Sequence, residues 1–433
     1  MYKKKDCFII VDGYGTGAHY AKYLSSIGIE SLHVESFAAS EGVLSSYCEG
    51  DYIDNVTWDG DIDEVLEKLK GRNVLCVLPG KDHAVELSDI ISHQLNLSYS
   101  NIFELSKARR NKFEMQEALR KAGVRSIVQF KSDNLDSILS WIDKDNNNYP
   151  YIIKPLESAS SDGVRICHNQ EEIKHAFDNI YLNKDVYGNT NKEVLAQYYL
   201  DSDEIEYCVN TVSLNGQHFV SEIIRVYRVR IDNSPVHDYN ELLCPIEDSE
   251  IFNLLANYIY ECLDALGIQN GAGHSEVMIT SEGPTLLETG ARMPGRIDLS
   301  AYTKAMGHNQ LSVLFESILD PETFRERVNK GRRKLKTNSS CVFFISDRQG
   351  AVVNPFPADE LVENYTHFHS FYWGAGNKIE KTIDFTNTPG QIFLIGDDKN
   401  NIKAERLKFR EREDSYYLSM ILTDEHVREE LIH

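Results

Sequence analysis

The sequence is short of several features that mark specialised classes of protein. It has no long apolar run: the stretch after its basic start covers about five residues, below the roughly seven of a signal peptide and far below a membrane span. Its eight cysteines are scattered without a CxxC pair, which favours reduced core thiols in a cytoplasmic protein. Lys and Arg number 45 against 67 Asp and Glu, and the net charge of −22 repels a phosphate backbone. We therefore expect neither a membrane protein nor a nucleic-acid-binding protein.

A chain of 433 residues is too long for one compact core, so several domains are expected. Residues 1–110 alternate strand and helix and predict an open parallel α/β domain. Residues 111–200 predict a smaller α+β domain. Residues 201–433 predict a third domain with a β-rich extension from about residue 335. The fold class expected is thus α/β and α+β in one multidomain chain.

Two antiparallel hairpins are predicted in the third domain. The first turns at Asn215-Gly216, the strongest short-range hairpin signal in a sequence. A loop over 231–247 and an amphipathic helix to Leu266 follow. The second hairpin runs from Gly273 to Ala291 and turns at 282–284.

Two carboxylates in the second hairpin are candidates for a metal site. Glu276 and Glu288 are each six residues from Glu282, so we expect them to face one another across the sheet. Opposed carboxylates repel unless a cation lies between them or water solvates both. An exposed, solvated pair is the alternative. Arg292 and Arg296 follow closely and favour the ionic site, because Arg suits phosphate or carboxylate groups.

A second chemical signal is the segment YIIKPLESASSDGV at 151–164. An apolar strand ends on Lys154 and releases a loop of small residues, whose N–H and hydroxyl groups can reach phosphate oxygens. A plain turn is the alternative for this segment alone.

Six motifs follow one another along the chain: Lys112 in RRNKFEM, Lys154 before the small-residue loop, VLAQYYL, EYCV, HSE and LETGAR. This ordered set resembles the ATP-grasp superfamily, and most of all its L-amino acid ligases, which make dipeptides. The likeness covers about residues 75–300. It implies an ATP-grasp fold with a Rossmann-like N-terminal domain, a lid subdomain at 111–200 and a large subdomain at 201–433.

The resemblance also implies an activity. It is ATP-dependent carboxylate–amine ligation through an acyl phosphate, with release of ADP and phosphate. The cofactors implied are ATP and Mg²⁺, one ion or two, with Mn²⁺ as an alternative. The substrates implied are a small carboxylate and an amine, both expected to be amino acids, and a homodimer is left open.

The resemblance assigns roles residue by residue. ATP contacts are implied for both lysines, for the loop, for the segment after it and for the EYCV glutamate: Lys112, Lys154, Ser158, Ser160, Ser161, Gly163, Gln197, Tyr198, Tyr199, Leu200 and Glu206. Metal ligands are Glu276 and Glu288, and Arg292 joins Lys154 as a catalytic residue. Gly290 departs from the family, which commonly has Asn there, and this puts a second metal ion in doubt.

Further residues are candidates for binding substrate. His274 shares a strand face with Glu276, although a structural histidine is an equal alternative. Arg296 could hold a carboxylate, and Arg292 is counted here too. Asp238 and Glu241 lie in the expected loop beside the site.

Two other functions are weighed. Gly13-Tyr-Gly-Thr-Gly17-Ala18 after a strand, with Glu35 closing the next one, resembles a dinucleotide fingerprint and would suit an NAD(P)-dependent oxidoreductase. That function leaves the paired carboxylates and both lysines unexplained. A catalytically inactive nucleotide-binding protein is the other alternative.

Overall fold

The computed structural model describes twelve segments of the chain, and all structural statements concern these residues: 5–37, 44–146, 148–158, 162–185, 188–200, 202–231, 234–295, 297–331, 334–354, 366–372, 376–383 and 387–423. Ser160, Ser161 and Arg296, three of the predicted site residues, lie outside them.

The N-terminal part is a four-stranded parallel sheet with helices against it. Its strands pair in the order β3-β2-β1-β4. Apolar runs such as Phe8–Val11 are fully buried, as expected for a parallel strand covered on both faces. The elements are β1 (Lys5–Val11), α1 (Ala18–Ser26), β2 (Glu30–Glu35), β3 (Asn55–Thr57), α2 (Asp63–Lys68), β4 (Arg72–Pro79) and α3 (Ala84–Gln94). The predicted open α/β arrangement is confirmed.

The next part is a four-stranded antiparallel sheet in the order β5-β8-β6-β7. Its first helix begins at Lys112, because the Asn111 side chain accepts hydrogen bonds from the N–H groups of Phe113 and Glu114. The elements are α4 (Lys112–Lys121), β5 (Gln129–Ser132), α5 (Leu135–Lys144), β6 (Tyr151–Pro155), β7 (Arg165–Cys167), α6 (Gln170–Ile180) and β8 (Val194–Tyr198).

The third part is built on an eight-stranded sheet in the order β13-β12-β9-β10-β11-β14-β18-β16. The last three strands of this order come from the C-terminal residues: β14 (Asn338–Phe343), β18 (Gly390–Gly396) and β16 (Thr366–Phe371). The hairpin turn at Asn215-Gly216 is confirmed, with positive φ angles of 50° and 76° at the two residues. The elements up to the basic stretch are β9 (Ser202–Leu214), β10 (Gln217–Ile231), β11 (Ser234–Leu242), α7 (Ser249–Ala265), β12 (Gly271–Thr280), β13 (Gly283–Gly290), α8 (Leu299–Met306), α9 (Gln310–Leu319) and α10 (Pro321–Lys330).

The loop expected over 231–247 is wrong. β11 occupies most of that range and pairs with β10 on one side and β14 on the other. Tertiary pairing explains the strand, in which Val236 is buried while the carboxylates of Asp238 and Glu241 bind arginines of another element.

The C-terminal residues extend the eight-stranded sheet and add a long helix that the sequence analysis did not predict. Buried aromatic residues of that helix, Phe409, Tyr416 and Tyr417, pack against Phe344 and its neighbours. The elements are β14 (Asn338–Phe343), β15 (Gly350–Val352), β16 (Thr366–Phe371), β17 (Lys378–Ile379), β18 (Gly390–Gly396), α11 (Lys399–Met420) and β19 (Ile421–Thr423). β17, β15 and β19 form a small sheet of their own.

The eight cysteines are free thiols, as expected, but Cys48 is exposed and does not belong to a core. Within the described segments, no helix combines the length and apolar character needed to cross a membrane.

Candidate active site

Glu276 and Glu288 face one another across β12 and β13, as predicted. The turn, however, is Ser281-Glu282 and not 282–284, since Thr280 pairs with Gly283. A continuous register from that turn would place Glu276 opposite Leu287. A β-bulge between Glu276 and Val277 shifts the register by one residue and brings the two carboxylates together.

The two carboxylates differ in their electrostatic environment. Burial, followed by the charge of Glu288, raises the pKa of Glu276 to about 7. Burial also opposes ionisation of Glu288, but the Lys112 ammonium lowers its pKa. The side chains remain 30% and 31% exposed, so both can reach a bound ion.

This donor set fits Mg²⁺ shared with nucleotide phosphates. Magnesium typically takes one or two carboxylates from the protein and keeps water or phosphate oxygens as its other ligands. No group of three or more His, Cys, Asp or Glu side chains suited to a metal occurs among the described residues.

Both predicted lysines lie beside the carboxylates. Lys112 Nζ is 2.8 Å from Glu288 Oε2 and donates to the Ser158 carbonyl oxygen at 2.9 Å. Lys154, at the end of β6, is buried, and burial followed by the Lys112 charge lowers its pKa to about 8. A pocket opens here, lined by Asp82, Arg110, Lys112, Ser158, Glu288 and Gly290. Three chain segments far apart in sequence therefore converge on one cationic site.

The described ends of the small-residue loop after β6 lie close to the same place. Ser158 Oγ donates to Asp162 Oδ2 at 2.7 Å. Gly163 has a φ of +69°, and a Cβ there would lie 2.8 Å from Pro155 Cγ. A glycine is therefore required where the chain returns toward the strand.

The predicted nucleotide-base segment follows β8. The Gln197 side chain is buried and donates to Gln129 Oε1 at 3.0 Å, while Tyr198 hydrogen-bonds to Asp145. Tyr199 and Leu200 come next and are half-buried. The amide nitrogen of Gln197 is thus committed to a structural contact.

Glu206 lies on the same face of β9 as Glu276 does on β12. It is 4% exposed and pairs with Arg228 of β10, whose Nη2 lies 2.8 Å from Oε2. Burial outweighs this arginine and raises the pKa of Glu206. The sequence analysis missed Arg228, because one arginine among several on an alternating strand gives no signal of its own.

Arg292 is held by a residue of the N-terminal part that the sequence analysis also missed. Its guanidinium donates to both oxygens of Asp82, at 2.8 and 2.6 Å. Burial opposes ionisation of Asp82, but Arg292 lowers the pKa of that carboxyl to about 2. A Cβ at Gly290 would lie 3.0 Å from Asp82 Oδ1, so the ion pair fills the space that a side chain at 290 would need. This explains why Gly replaces the family's Asn.

His274 is half-buried between polar groups. Its Nδ1 lies 2.7 Å from Asn210 Oδ1, and its Nε2 lies 3.7 Å from Glu276 Oε1. Loss of solvent, followed by the charge of Arg292, lowers the pKa of His274 to about 4, so the ring is neutral at pH 7.

Asp238 and Glu241, predicted beside the substrate, contact the C-terminal helix. Asp238 Oδ1 accepts from Arg410 at 2.6 Å, and Glu241 Oε1 accepts from Arg406 at 3.0 Å. These contacts connect α11 to β11. Asp238 and Glu241 therefore lie on a strand and not in the predicted loop.

The glycine-rich turn after β1 serves close packing. A Cβ at Gly17 would lie 2.5 Å from Gly80 Cα, and one at Gly80 would lie 2.2 Å from the Asp12 carbonyl oxygen. Glu35, the acid of the supposed fingerprint, accepts a hydrogen bond from Tyr14 at 3.1 Å. The glycines are therefore explained by the contact between two strand ends.

Comparison with known proteins agrees with this fold. Residues 147–298 match the ATP-grasp domain family. The chain belongs to the ATP-grasp family.

Among its relatives, dapdiamide A synthase of Enterobacter agglomerans is 32% identical over 432 residues, covering 97% of this chain and 99% of that protein. The crystal structure of an L-amino acid ligase from Bacillus licheniformis superposes with a TM-score of 0.74 at 16% identity, over 95% of this chain and 98% of that one. A carboxyaminoimidazole ribonucleotide synthase from Aspergillus clavatus, solved with ATP, has a TM-score of 0.66 at 12% identity, over 96% and 100% of the two chains.

Proposed function

We propose that this protein joins two amino acids through an amide bond, after activating one carboxylate as an acyl phosphate. It is an ADP-forming carbon–nitrogen ligase of the ATP-grasp type. The observation that carries the proposal is the facing Glu276–Glu288 pair with Lys112 and Lys154 beside it. Phosphoryl transfer asks a protein for positioning and charge stabilisation, and these four side chains supply both.

In the first step a substrate carboxylate oxygen attacks the γ-phosphorus, and the bond to the β–γ bridging oxygen breaks to release ADP. Lys112 and Lys154 neutralise phosphate oxygens, while Arg292, fixed by Asp82, faces the acyl phosphate. Mg²⁺ held by Glu276 and Glu288, one ion or two with Mn²⁺ as an alternative, supplies further positive charge when bound.

In the second step the nitrogen of a neutral amine attacks the acyl carbon, the bond from that carbon to the phosphate oxygen breaks, and the proton lost by the nitrogen leaves with phosphate or passes to water. Water must be kept from the acyl phosphate, and we assign this task to the loop at 158–163, whose first residue, Ser158, accepts a hydrogen bond from Lys112. Tyr199, Leu200 and Glu206 would hold the base and ribose of ATP. His274, neutral at pH 7, can accept a hydrogen bond from a substrate ammonium group.

The domain division 1–110, 111–200 and 201–433 is part of the proposal. The single eight-stranded sheet, which joins strands from β9 to β18, supports placing the C-terminal extension in the third domain. A homodimer and a cytoplasmic location stay predictions.

A screen of amino acids, singly and in pairs with ATP and Mg²⁺, tests the function. We expect release of ADP and phosphate with a pair, together with a product of the mass of the dipeptide. Nucleotide binding without ADP release under any pair would favour the inactive nucleotide-binding protein instead.

A further inference from the structure

Lys81 follows β4 at a position where parallel sheets commonly bind ligands. The strand order β3-β2-β1-β4 means that the chain leaves β1 toward β2 on one side and reaches β4 on the other. The crevice outside the carboxyl ends of two such strands is a preferred ligand site. Asp12 directly follows β1 and Lys81 lies two residues beyond β4, so both are placed past the carboxyl ends of these strands.

The Lys81 ammonium is half-buried and lies over the glycine turn. A Cβ at Gly15 would be 2.9 Å from Lys81 Nζ. Burial, followed by the charge of Arg292, lowers the pKa of Lys81. Among the described residues, no ion pair or side-chain hydrogen bond involves this ammonium group.

Two carboxylates are near enough to act on Lys81, but each has other partners. Asp12 accepts hydrogen bonds from Ser36 and lies 3.2 Å from His83 Nε2. Asp82 is bound at both oxygens by Arg292. A half-buried ammonium group without an ion-pair contact of its own is costly, and an anionic ligand would offset that cost.

The charged neighbours of Lys81 are Arg292, Asp82 and Asp12, whereas those of Lys154 are Lys112, Glu288 and Glu276. Lys81 directly precedes Asp82, which binds the Arg292 guanidinium at both oxygens. A ligand of Lys81 therefore lies near the guanidinium that we assign to the acyl phosphate.

We infer that Lys81 binds a substrate carboxylate other than the one being activated, which makes it a specificity-determining residue. The inference rests on the proposed function. That carboxylate belongs either to the amino acid that supplies the amine or to a second acidic group on the acyl donor.

The test compares wild type with Lys81→Met and Lys81→Arg, and uses Lys121→Met, on the exposed end of α4, as the matched control. Each variant is assayed with the best acceptor amino acid of the screen and with its carboxamide. A second arm compares acyl donors with and without an extra carboxylate. The KM for ATP is measured throughout.

For Lys81→Met we expect kcat/KM to fall roughly tenfold to a hundredfold for the substrate that carries the carboxylate, in one of the two comparisons. This is the range for a lost charge-assisted contact. The neutral form and the KM for ATP should change less than about twofold, and Lys81→Arg should retain most of the preference. Equal losses for acidic and neutral forms, a matching rise in the KM for ATP, or no loss at all would overturn the inference.

The same data distinguish the two proposals. If the wild-type protein releases no ADP with any pair of amino acids, both the proposed function and the inference about Lys81 are wrong. If the wild-type protein is active and Lys81→Met keeps its preference for the carboxylate-bearing substrate, only the inference about Lys81 is wrong.

Discussion

The Asp82 carboxylate accepts hydrogen bonds from Nε and Nη2 of Arg292, a residue 210 positions later in the chain. This pair joins the end of the parallel sheet to the end of β13 and fixes the guanidinium beside the proposed phosphate site. The side chains are only 20% and 12% exposed, so solvent screens the pair weakly.

The pH dependence of stability tests this pair. Since the pKa of Asp82 falls from 3.8 to about 2 on folding, its contribution is complete above pH 4 and is lost as the pH falls through 2. Asp82→Asn should cost roughly 2 kcal/mol of unfolding free energy at pH 6, and the gap to wild type should narrow between pH 4 and 2.5. Urea midpoints across this range check it. A gap that stays constant down to pH 2.5 would show that the charge of Asp82 is not what stabilises the contact.

The two metal-site glutamates should behave alike in catalysis and differently in stability. Glu276→Gln and Glu288→Gln should each lower turnover by about two orders of magnitude or more, because each removes charge from the phosphoryl-transfer site. Wild-type turnover in either variant would rule out the metal assignment.

Without metal, Glu276→Gln should raise the melting temperature, since burial beside Glu288 has raised the pKa of Glu276 to about 7. Between its ordinary pKa of 4.5 and about 7 the folded protein keeps a proton that the unfolded chain releases, so stability falls over this range. The gain of the variant over wild type should therefore grow from pH 5 to pH 7 and level off above. Glu288→Gln breaks the ion pair with Lys112 and should not stabilise. Melting curves in EDTA decide between these outcomes, and equal effects of the two variants would contradict the assigned pairing.

Lys112→Ala and Lys154→Ala should weaken the binding of ATP far more than that of adenosine, because we propose that both ammonium groups, which lie beside Glu288, contact the phosphates. Calorimetry with the two ligands measures the difference. Lys121→Ala, on the exposed end of the same helix as Lys112, serves as the control. Equal losses for ATP and adenosine would exclude the phosphate role.

Restoring the family's asparagine should harm the enzyme. Gly290→Asn places a side chain against Asp82, whose Oδ1 would lie 3.0 Å from the new Cβ, and should displace the pair with Arg292. We expect turnover to fall by about tenfold or more, with a milder effect for Gly290→Ala. A gain in activity, with a second Mn²⁺ bound in calorimetric titrations, would contradict this prediction. It would show that Asp82 moves to make room for the Asn side chain and that the lack of this metal ligand had limited the reaction.

Local patterns in the sequence were sufficient for the hairpins, for the parallel sheet and for the order of the motifs. The Glu276–Glu288 pairing was correct only because a β-bulge compensates for a turn one residue earlier than predicted, and no residue in MITSEGPTLLE announces that bulge. β11 was missed because Asn, Asp and Pro in its sequence suggest a loop, whereas tertiary pairing with β10 and β14 makes it a strand.

Long-range ion pairs were the other limit. Asp82 and Arg228 are ordinary charged residues in the sequence, and only the folded chain places them on Arg292 and Glu206. Likewise, Asp238 and Glu241 were predicted in a loop, whereas they lie on β11 and contact Arg410 and Arg406 of α11. A substrate role for these two residues stays a prediction.

The central claim is that a carboxylate becomes an acyl phosphate, and oxygen transfer tests it most directly. The protein is incubated with ATP, Mg²⁺, an amine-bearing amino acid and an acyl donor whose carboxylate carries oxygen-18, and the products are weighed by mass spectrometry. Attack of the carboxylate on the γ-phosphorus must carry one labelled oxygen into the released phosphate, alongside unlabelled ADP and the amide product. Label in AMP, with pyrophosphate released instead, would mean that the carboxylate attacks the α-phosphorus and would contradict this account.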